Sequence, residues 1–347
     1  MLHCSITPRA EVRFVHNHRV RFNVIEGDAT TVSGDVLVLK YAQAPFGIDK
    51  HVGALLEQTG IPSAEVRPSN GGFSLLAAPS GVSAKEVLFV GVEPLGAFGY
   101  EQIRVFARRA LTFLATERAA TRTILVTSHG AGYGLDENEA FESQLAGFLD
   151  AVEGGDAPPA LDEITFVEKN RFRAERLSKA LSALGPLQPN VGKSLGESTN
   201  RETRERLSEV GYASLDKPHI FVAMPYVESM DDLYHYGIQN AATNARLLCE
   251  RADLSSFTGD VMEWVRTRIR TSQLVVADLT GANANVYLEV GYAWGCGVPT
   301  VLLAQKGDDL KFDVRGQRCL IYSSIRNLED QLSAELSTLS AAASTTA

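Results

Sequence analysis

The chain has 347 residues, enough for two domains that each bury a core of their own. Apolar residues make up 45% and charged residues 22%, a globular balance that excludes a wholly disordered or fibrous protein. A formal net charge of −9 argues against general affinity for nucleic acid or anionic membranes, yet leaves room for a small phosphorylated ligand where backbone N–H groups converge.

Four cysteines, Cys4, Cys249, Cys296 and Cys319, stand far apart and form no C-x-x-C pair. They predict neither a disulfide framework nor a zinc site, and fit a reducing compartment. The N-terminal stretch MLHCSITPRAEVRF carries early charges and no apolar core of signal-peptide length, and no apolar run reaches the ~18 residues of a membrane span. The expectation is a cytoplasmic protein without membrane contact, requiring no cofactor or metal.

In chain order, short apolar runs predict strands at Val36–Lys40, Val87–Gly91, Ile124–Ser128 and Ile164–Glu168, with helical periodicity at Tyr100–Glu117, Glu137–Val152 and Arg173–Leu184. A turn-rich break follows, with Pro186, Pro189, Gly192 and Gly196, then a charged stretch that predicts a short helix over Arg201–Val210. Strands resume at Ile220–Met224, Leu274–Asp278, Thr300–Ala304 and Cys319–Tyr322, with helices at Leu233–Arg251, Phe257–Thr271 and Val286–Gly297. Such alternation predicts an α/β fold of two three-layer domains with largely parallel sheets. The boundaries read as a first domain over residues 1–185, a linker over 186–216, a second domain over 217–336 and a disordered tail over 337–347, whose SAAASTTA is small and polar.

The second domain holds the most informative stretch, Leu274–Leu303. A buried strand ends in Asp278, the loop LTGANAN follows, and a helix carries Glu289. In open parallel sheets ligands sit beyond the carboxyl ends of strands. Val286, Val290 and Ala293 mark the apolar face of the helix, and Glu289 falls on or beside it, where a carboxylate is costly without a partner. Asn285 is placed as the N-cap, and Gly291 and Gly295 suit a close approach of backbone or ligand. A pair of caps and salt bridges is the competing explanation for these acids.

The blocks HIFVAMPY, LTGANANVYLEVGYAWGCGVPTVLL and FDVRGQRCLIY resemble the nucleoside 2-deoxyribosyltransferase-like superfamily, and more closely its TIR-like bacterial branch of nucleotide-binding proteins, over about Lys217–Leu336. The resemblance implies a flavodoxin-like domain in which Glu289 attacks or stabilises a sugar anomeric carbon. It implies that Asp278 holds base or sugar, with Asn285 ahead of the glutamate. Met224, Pro225 and Tyr226 would form the other wall, with Asp253, Gly281 and Arg315 toward the substrate. Arg246 and Arg251 suit phosphate contacts, or equally a solvated surface or structural pairs. No counterpart stands for the terminal group that deoxyribosyltransferases borrow from a neighbouring subunit, which favours hydrolysis or binding over base exchange.

In the first domain, ILVTSHGAGYGLDENEAF places a strand, a glycine-rich loop and a helix in sequence. Together with IEGDATTVSGDVLVL and FSLLAAPSGVSAKEVLFVGV it resembles macro domains of the leucine-aminopeptidase N-terminal type, over about Val12–Leu184. The resemblance implies an ADP-ribose-like ligand, with Asp28 at the adenine and Gly130, Ala131, Gly132, Tyr133 and Gly134 around the diphosphate. Lys40-Tyr41-Ala42-Gln43 stands where ADP-ribose hydrolases carry a catalytic asparagine loop, so binding or sensing is expected here, and His129 reads as a local hydrogen-bonder. A simple tight turn explains the glycines as well.

Two functions follow. One is an N-glycosidase effector that hydrolyses NAD or a nucleoside phosphate under control of the macro-like domain, with antiphage defence as the setting the resemblance implies. The other is a non-catalytic nucleotide receptor that acts by homo-oligomerisation or recruitment of a partner.

Overall fold

The computed structural model describes residues 9–13, 19–130, 133–184, 197–251, 261–307, 317 and 319–346. The chain forms two compact units, Met1–Gly130 with Glu137–Leu215, and Ala131–Asp136 with Asp216–Ala347. Both are α/β, with mostly parallel sheets.

Unit 1 contains strands β1 (Arg9–Arg13), β2 (Arg19–Glu26), β3 (Gly34–Tyr41), β4 (Phe73–Ala77), β5 (Ala84–Gly91), β6 (Thr123–Val126) and β7 (Glu163–Glu168). Their order in the sheet is β1-β2-β7-β6-β3-β5-β4. The five inner strands run parallel, and β1 and β4 lie antiparallel at the edges. Central β3 and β5 are nearly continuous apolar runs because both of their faces are covered. The helices are α1 (Gly47–Gln58), α2 (Ser63–Val66), α3 (Tyr100–Glu117), α4 (Glu137–Gly154), α5 (Arg171–Ala183) and α6 (Glu197–Glu209).

Helix α6 falls in the stretch expected as linker, and it is docked on unit 1. Arg104 of α3 is buried, bonds Asp150 at 2.7 Å through Nε and Nη2, and donates Nη1 to the carbonyls of Leu207, Ser208 and Val210 at 2.5–3.1 Å. These are orphan carbonyls at a helix C-terminus, where a cation also meets the favourable end of the dipole.

Unit 2 contains β8 (His219–Ala223), β9 (Leu248–Glu250), β10 (Leu274–Asp278), β11 (Thr300–Gln305) and β12 (Cys319–Tyr322), all parallel. The order β9-β8-β10-β11-β12 is the flavodoxin-like arrangement, which reverses direction between β8 and β10. The helices are α7 (Asn240–Asn244), entered through a π-helical segment Leu233–Gln239, then α8 (Val261–Thr271), α9 (Ala284–Gly295) and α10 (Ile325–Thr346). Alternate strand residues serve opposite faces. Ile220, Val222, Leu274 and Val276 pack with Ile238, Leu328 and Leu332, while Phe221, Ala223, Val275 and Ala277 pack with Val265, Ile269, Val286 and Val290.

Three sequence expectations are corrected. The helix expected over Leu233–Arg251 ends at Asn244, and the left-handed backbone of Arg246 (φ 59°) turns the chain into β9. The helix expected from Val286 starts at Ala284, and its N-cap is Asn283, whose side chain accepts the N–H of Asn285; Asn285 itself is an exposed helical residue. The C-terminal helix passes the expected end at Leu336 and continues to Thr346.

Candidate functional site

The reversal between β8 and β10 gathers the loops that follow them. Asp278 closes β10 and is fully buried. Its Oδ1 accepts the N–H of Thr280 at 2.9 Å, and its Oδ2 accepts the hydroxyl of Tyr322, on β12, at 2.8 Å. The Thr280 hydroxyl lies 3.2 Å from the Tyr322 hydroxyl and accepts the N–H of Gln305 at 3.1 Å. The carboxylate therefore ties the β10–α9 loop to β11 and β12. Burial, with Asp278 adding to it, pushes the nearby Cys319 thiol up to about 11. Gly281, at φ 71°, makes the turn that redirects the chain into α9 and is exposed.

Glu289 sits on the buried face of α9 with Val286, Val290 and Ala293. This helix packs against β8, β10 and β11. Among the described residues Glu289 has no hydrogen bond or ion pair, and burial alone raises its carboxyl from 4.5 to about 7. Gly291 and Gly295, expected to allow a close approach, meet nothing in the described structure.

The segment expected to form the other wall follows β8. Met224 is buried and Pro225 and Tyr226 are half-buried. Arg251, just past β9, fixes this loop. Its guanidinium lies over the rings of Tyr226 (4.2 Å) and Tyr234 (4.0 Å), reaches Met224 Sδ at 3.7 Å and bonds Asp231 at 3.1 Å. Arg251 thus takes the structural of its two readings, and Arg246 is exposed. Asp253 and Arg315 lie outside the described residues.

In unit 1, Asp28 follows β2. Its Oδ1 accepts the Thr30 N–H (3.0 Å) and hydroxyl (2.7 Å), and Lys169 approaches Oδ2 at 3.4 Å. The hydrogen bonds from Thr30 hold its pKa below the ordinary value. The glycine loop splits. Gly130 belongs to unit 1, Tyr133 and Gly134 belong to unit 2, and Ala131 and Gly132 lie outside the described residues. Gly134 has φ 96°, and a Cβ there would fall inside the indole of Trp264, so packing within unit 2 accounts for this glycine. Asp136, two residues on, accepts the Cys249 N–H at 3.0 Å.

A cluster that the sequence reading missed lies at the ends of β3 and β6. Lys40 is buried and its Nζ lies 3.2 Å from Asp49 Oδ2, on α1. Burial raises the Asp49 carboxyl, and Asp49 Oδ1 has no hydrogen-bond partner. Burial first, then the Lys40 charge, drives the His129 pKa well below its usual value, so the ring is neutral. Its Nε2 is unpartnered, as is the Ser128 hydroxyl, and the ring meets Phe106 and Phe98 edge-on. The backbone N–H of His129 donates to Gln144 at 3.1 Å, and among the described residues its ring makes no hydrogen bond. The signal for Asp49 was present in the spacing, because Asp49, Val52, Gly53 and Leu56 repeat as one helix face.

Neither a protein-family model nor a curated protein matches the chain. Similar solved structures are macrodomains, and the likeness lies over the N-terminal part. The Oceanobacillus iheyensis macrodomain with ADP is 15% identical and covers 58% of this chain and 97% of its own, at a TM-score of 0.37. The Trypanosoma brucei macrodomain in complex with ADP-ribose is 21% identical and covers 46% of this chain and 69% of its own, at 0.37. At such identities and scores the likeness assigns no function. Among the described residues no helix is long and apolar enough to cross a membrane, and no group of three or more His, Cys, Asp or Glu side chains is placed to hold a metal ion.

Proposed function

We propose that unit 2 cleaves the N-glycosidic bond of NAD or of a nucleoside phosphate, with Glu289 as its key carboxylate, and that unit 1 binds an ADP-ribose-like nucleotide that regulates it. Glu289 carries the reading. It is a buried carboxylate without a partner among the described residues, on the helix that follows β10, in a sheet whose order reverses at β10. Structural acids in cores are paired or hydrogen-bonded, and one left without either is a functional-site candidate. Ionised, it stabilises positive charge developing at an anomeric carbon, or traps it covalently. A cationic nicotinamide riboside bound against it favours that ionised form. Met224, Pro225 and Tyr226 form a fixed wall, and Asp278 shapes the loop carrying Gly281.

Purified wild-type protein is expected to release free base from NAD, NADP or a nucleoside monophosphate, and Glu289→Gln to lower that rate about a hundredfold or more. Equal rates from the two proteins remove the enzyme reading. In a bacterial host, we expect wild type but not Glu289→Gln to lower NAD during phage infection.

One observation favours the second function. Asp278 is already engaged by Thr280 and Tyr322, which leaves Glu289 without a second free carboxylate at this end of β10 among the described residues. A receptor that binds nucleotide and acts by homo-oligomerisation needs none. It predicts nucleotide-dependent assembly by light scattering with the nucleotide recovered intact.

A further inference from the structure

A groove of about 490 Å³ runs along the solvent-facing side of α3 in unit 1. It shares no residue with the cluster at the strand ends. Its lining is mostly apolar, and its rings are held in place. Phe73 of β4 stacks on Phe113 with centroids 4.3 Å apart and planes at 14°. Arg109 lies over Phe73 at 4.9 Å and spends its donors on the carbonyls of Gly71 (2.5 Å) and Gly91 (3.4 Å). Tyr212 is 48% exposed, and the buried Arg104 lies over its ring at 4.3 Å. Arg104 is itself fixed by Asp150 and the α6 carbonyls.

Arg108 is different. Its nearest acid is Asp156 at 3.8 Å, both side chains are about half exposed, and its guanidinium makes no hydrogen bond among the described residues. The groove thus offers the rings of Phe113 and Tyr212 and, beside the acids Glu117 and Asp156 that also line it, one cation with donors to give among the described residues, Arg108. Ring faces held in water favour offset stacking on a flat partner. A guanidinium fork suits a phosphate or carboxylate. The volume is that of a small-molecule site.

We propose that this groove binds a planar aromatic anion, its ring against Phe113 or Tyr212 and its charged group on Arg108. A nucleoside monophosphate and a simple aryl phosphate share this chemistry. The test is calorimetric titration of the full chain with AMP and with 1-naphthyl phosphate, on an Asp28→Ala, Glu289→Gln background that removes the strand-end sites. At least one ligand is expected to bind with a submillimolar Kd. Arg108→Glu, and separately Thr112→Trp, which fills the groove from an exposed position, should each weaken it about tenfold or more with Tm unchanged. Preference for AMP assigns the groove to nucleotides, and preference for the aryl phosphate to other aromatic anions. No binding of either ligand at millimolar concentration, or affinity unchanged in both groove variants, overturns the proposal.

Discussion

Asp49 in unit 1 and Glu289 in unit 2 occupy equivalent situations. Each sits on the buried face of the helix that leaves the carboxyl end of a parallel strand, and burial raises the pKa of each. They differ in company. Asp49 has the Lys40 ammonium at 3.2 Å, and Glu289 has no charged partner among the described residues. A buried pair is held together because removing either member strands the other, whereas a lone buried acid is a standing cost that only a ligand or a proton relieves. Asp49 therefore has its counter-charge within unit 1, and Glu289 has none among the described residues of unit 2.

The largest expected effect breaks the first half of this contrast. Asp49→Ala takes the carboxylate from a buried ammonium, and a loss of about 3–5 kcal/mol is expected in urea unfolding. Lys40→Met with Asp49→Leu should recover most of it. A cost below about 1 kcal/mol for Asp49→Ala alone would mean that the pair contributes no balance.

Glu289→Gln should act in the opposite direction. Below about pH 4.5 the acid is protonated in both folded and unfolded chains and imposes no penalty. Between there and about pH 7 the unfolded chain releases a proton that the folded chain keeps, so stability falls as pH rises. Above about 7 the penalty is complete, and a rise from 4.5 to about 7 corresponds to at most about 3 kcal/mol. The Gln variant should accordingly melt higher than wild type at pH 8 and equal to it near pH 4. If the advantage is the same at both pH values, Glu289 does not titrate as described. Saturating nucleotide should narrow the gap at pH 8, because a ligand that pairs with the ionised acid stabilises wild type more.

The contrast between the two acids was only half legible in the sequence. Glu289 stood out because its helix was bracketed by two apolar strands and its phase was unambiguous. Asp49 lies on a face of the same spacing, but α1 begins at Gly47, directly after Pro45-Phe46, and shows its apolar face only at Val52, Gly53 and Leu56, so the helix went unread. Strands β3, β7 and β10 were visible as continuous apolar runs. β2 (RVRFNVIE) interleaves charges with its apolar residues, and β9 has three residues, too few to express a period. The N-cap was misplaced by two residues because Asn283 and Asn285 are equal candidates until backbone angles distinguish them. Nothing local announces that Asp278 is bonded to Tyr322, 44 residues later. The partner of a carboxylate at a strand end becomes visible only when the strands are assembled.

That third acid sharpens the comparison with the smallest effect. Asp278 is buried like the other two, and its carboxylate accepts hydrogen bonds from Thr280 and Tyr322. Tyr322→Phe removes a donor to a charged acceptor while keeping the ring in the core formed with Leu303 and Leu328. A loss of about 1.5–3 kcal/mol is expected in urea unfolding. If Asp278 works only through the loop it holds, Tyr322→Phe raises the apparent KM for nucleotide through a loosened Thr280–Gly281 turn and leaves kcat within about threefold. A kcat loss as deep as that of Glu289→Gln would instead place Asp278 at the reacting sugar.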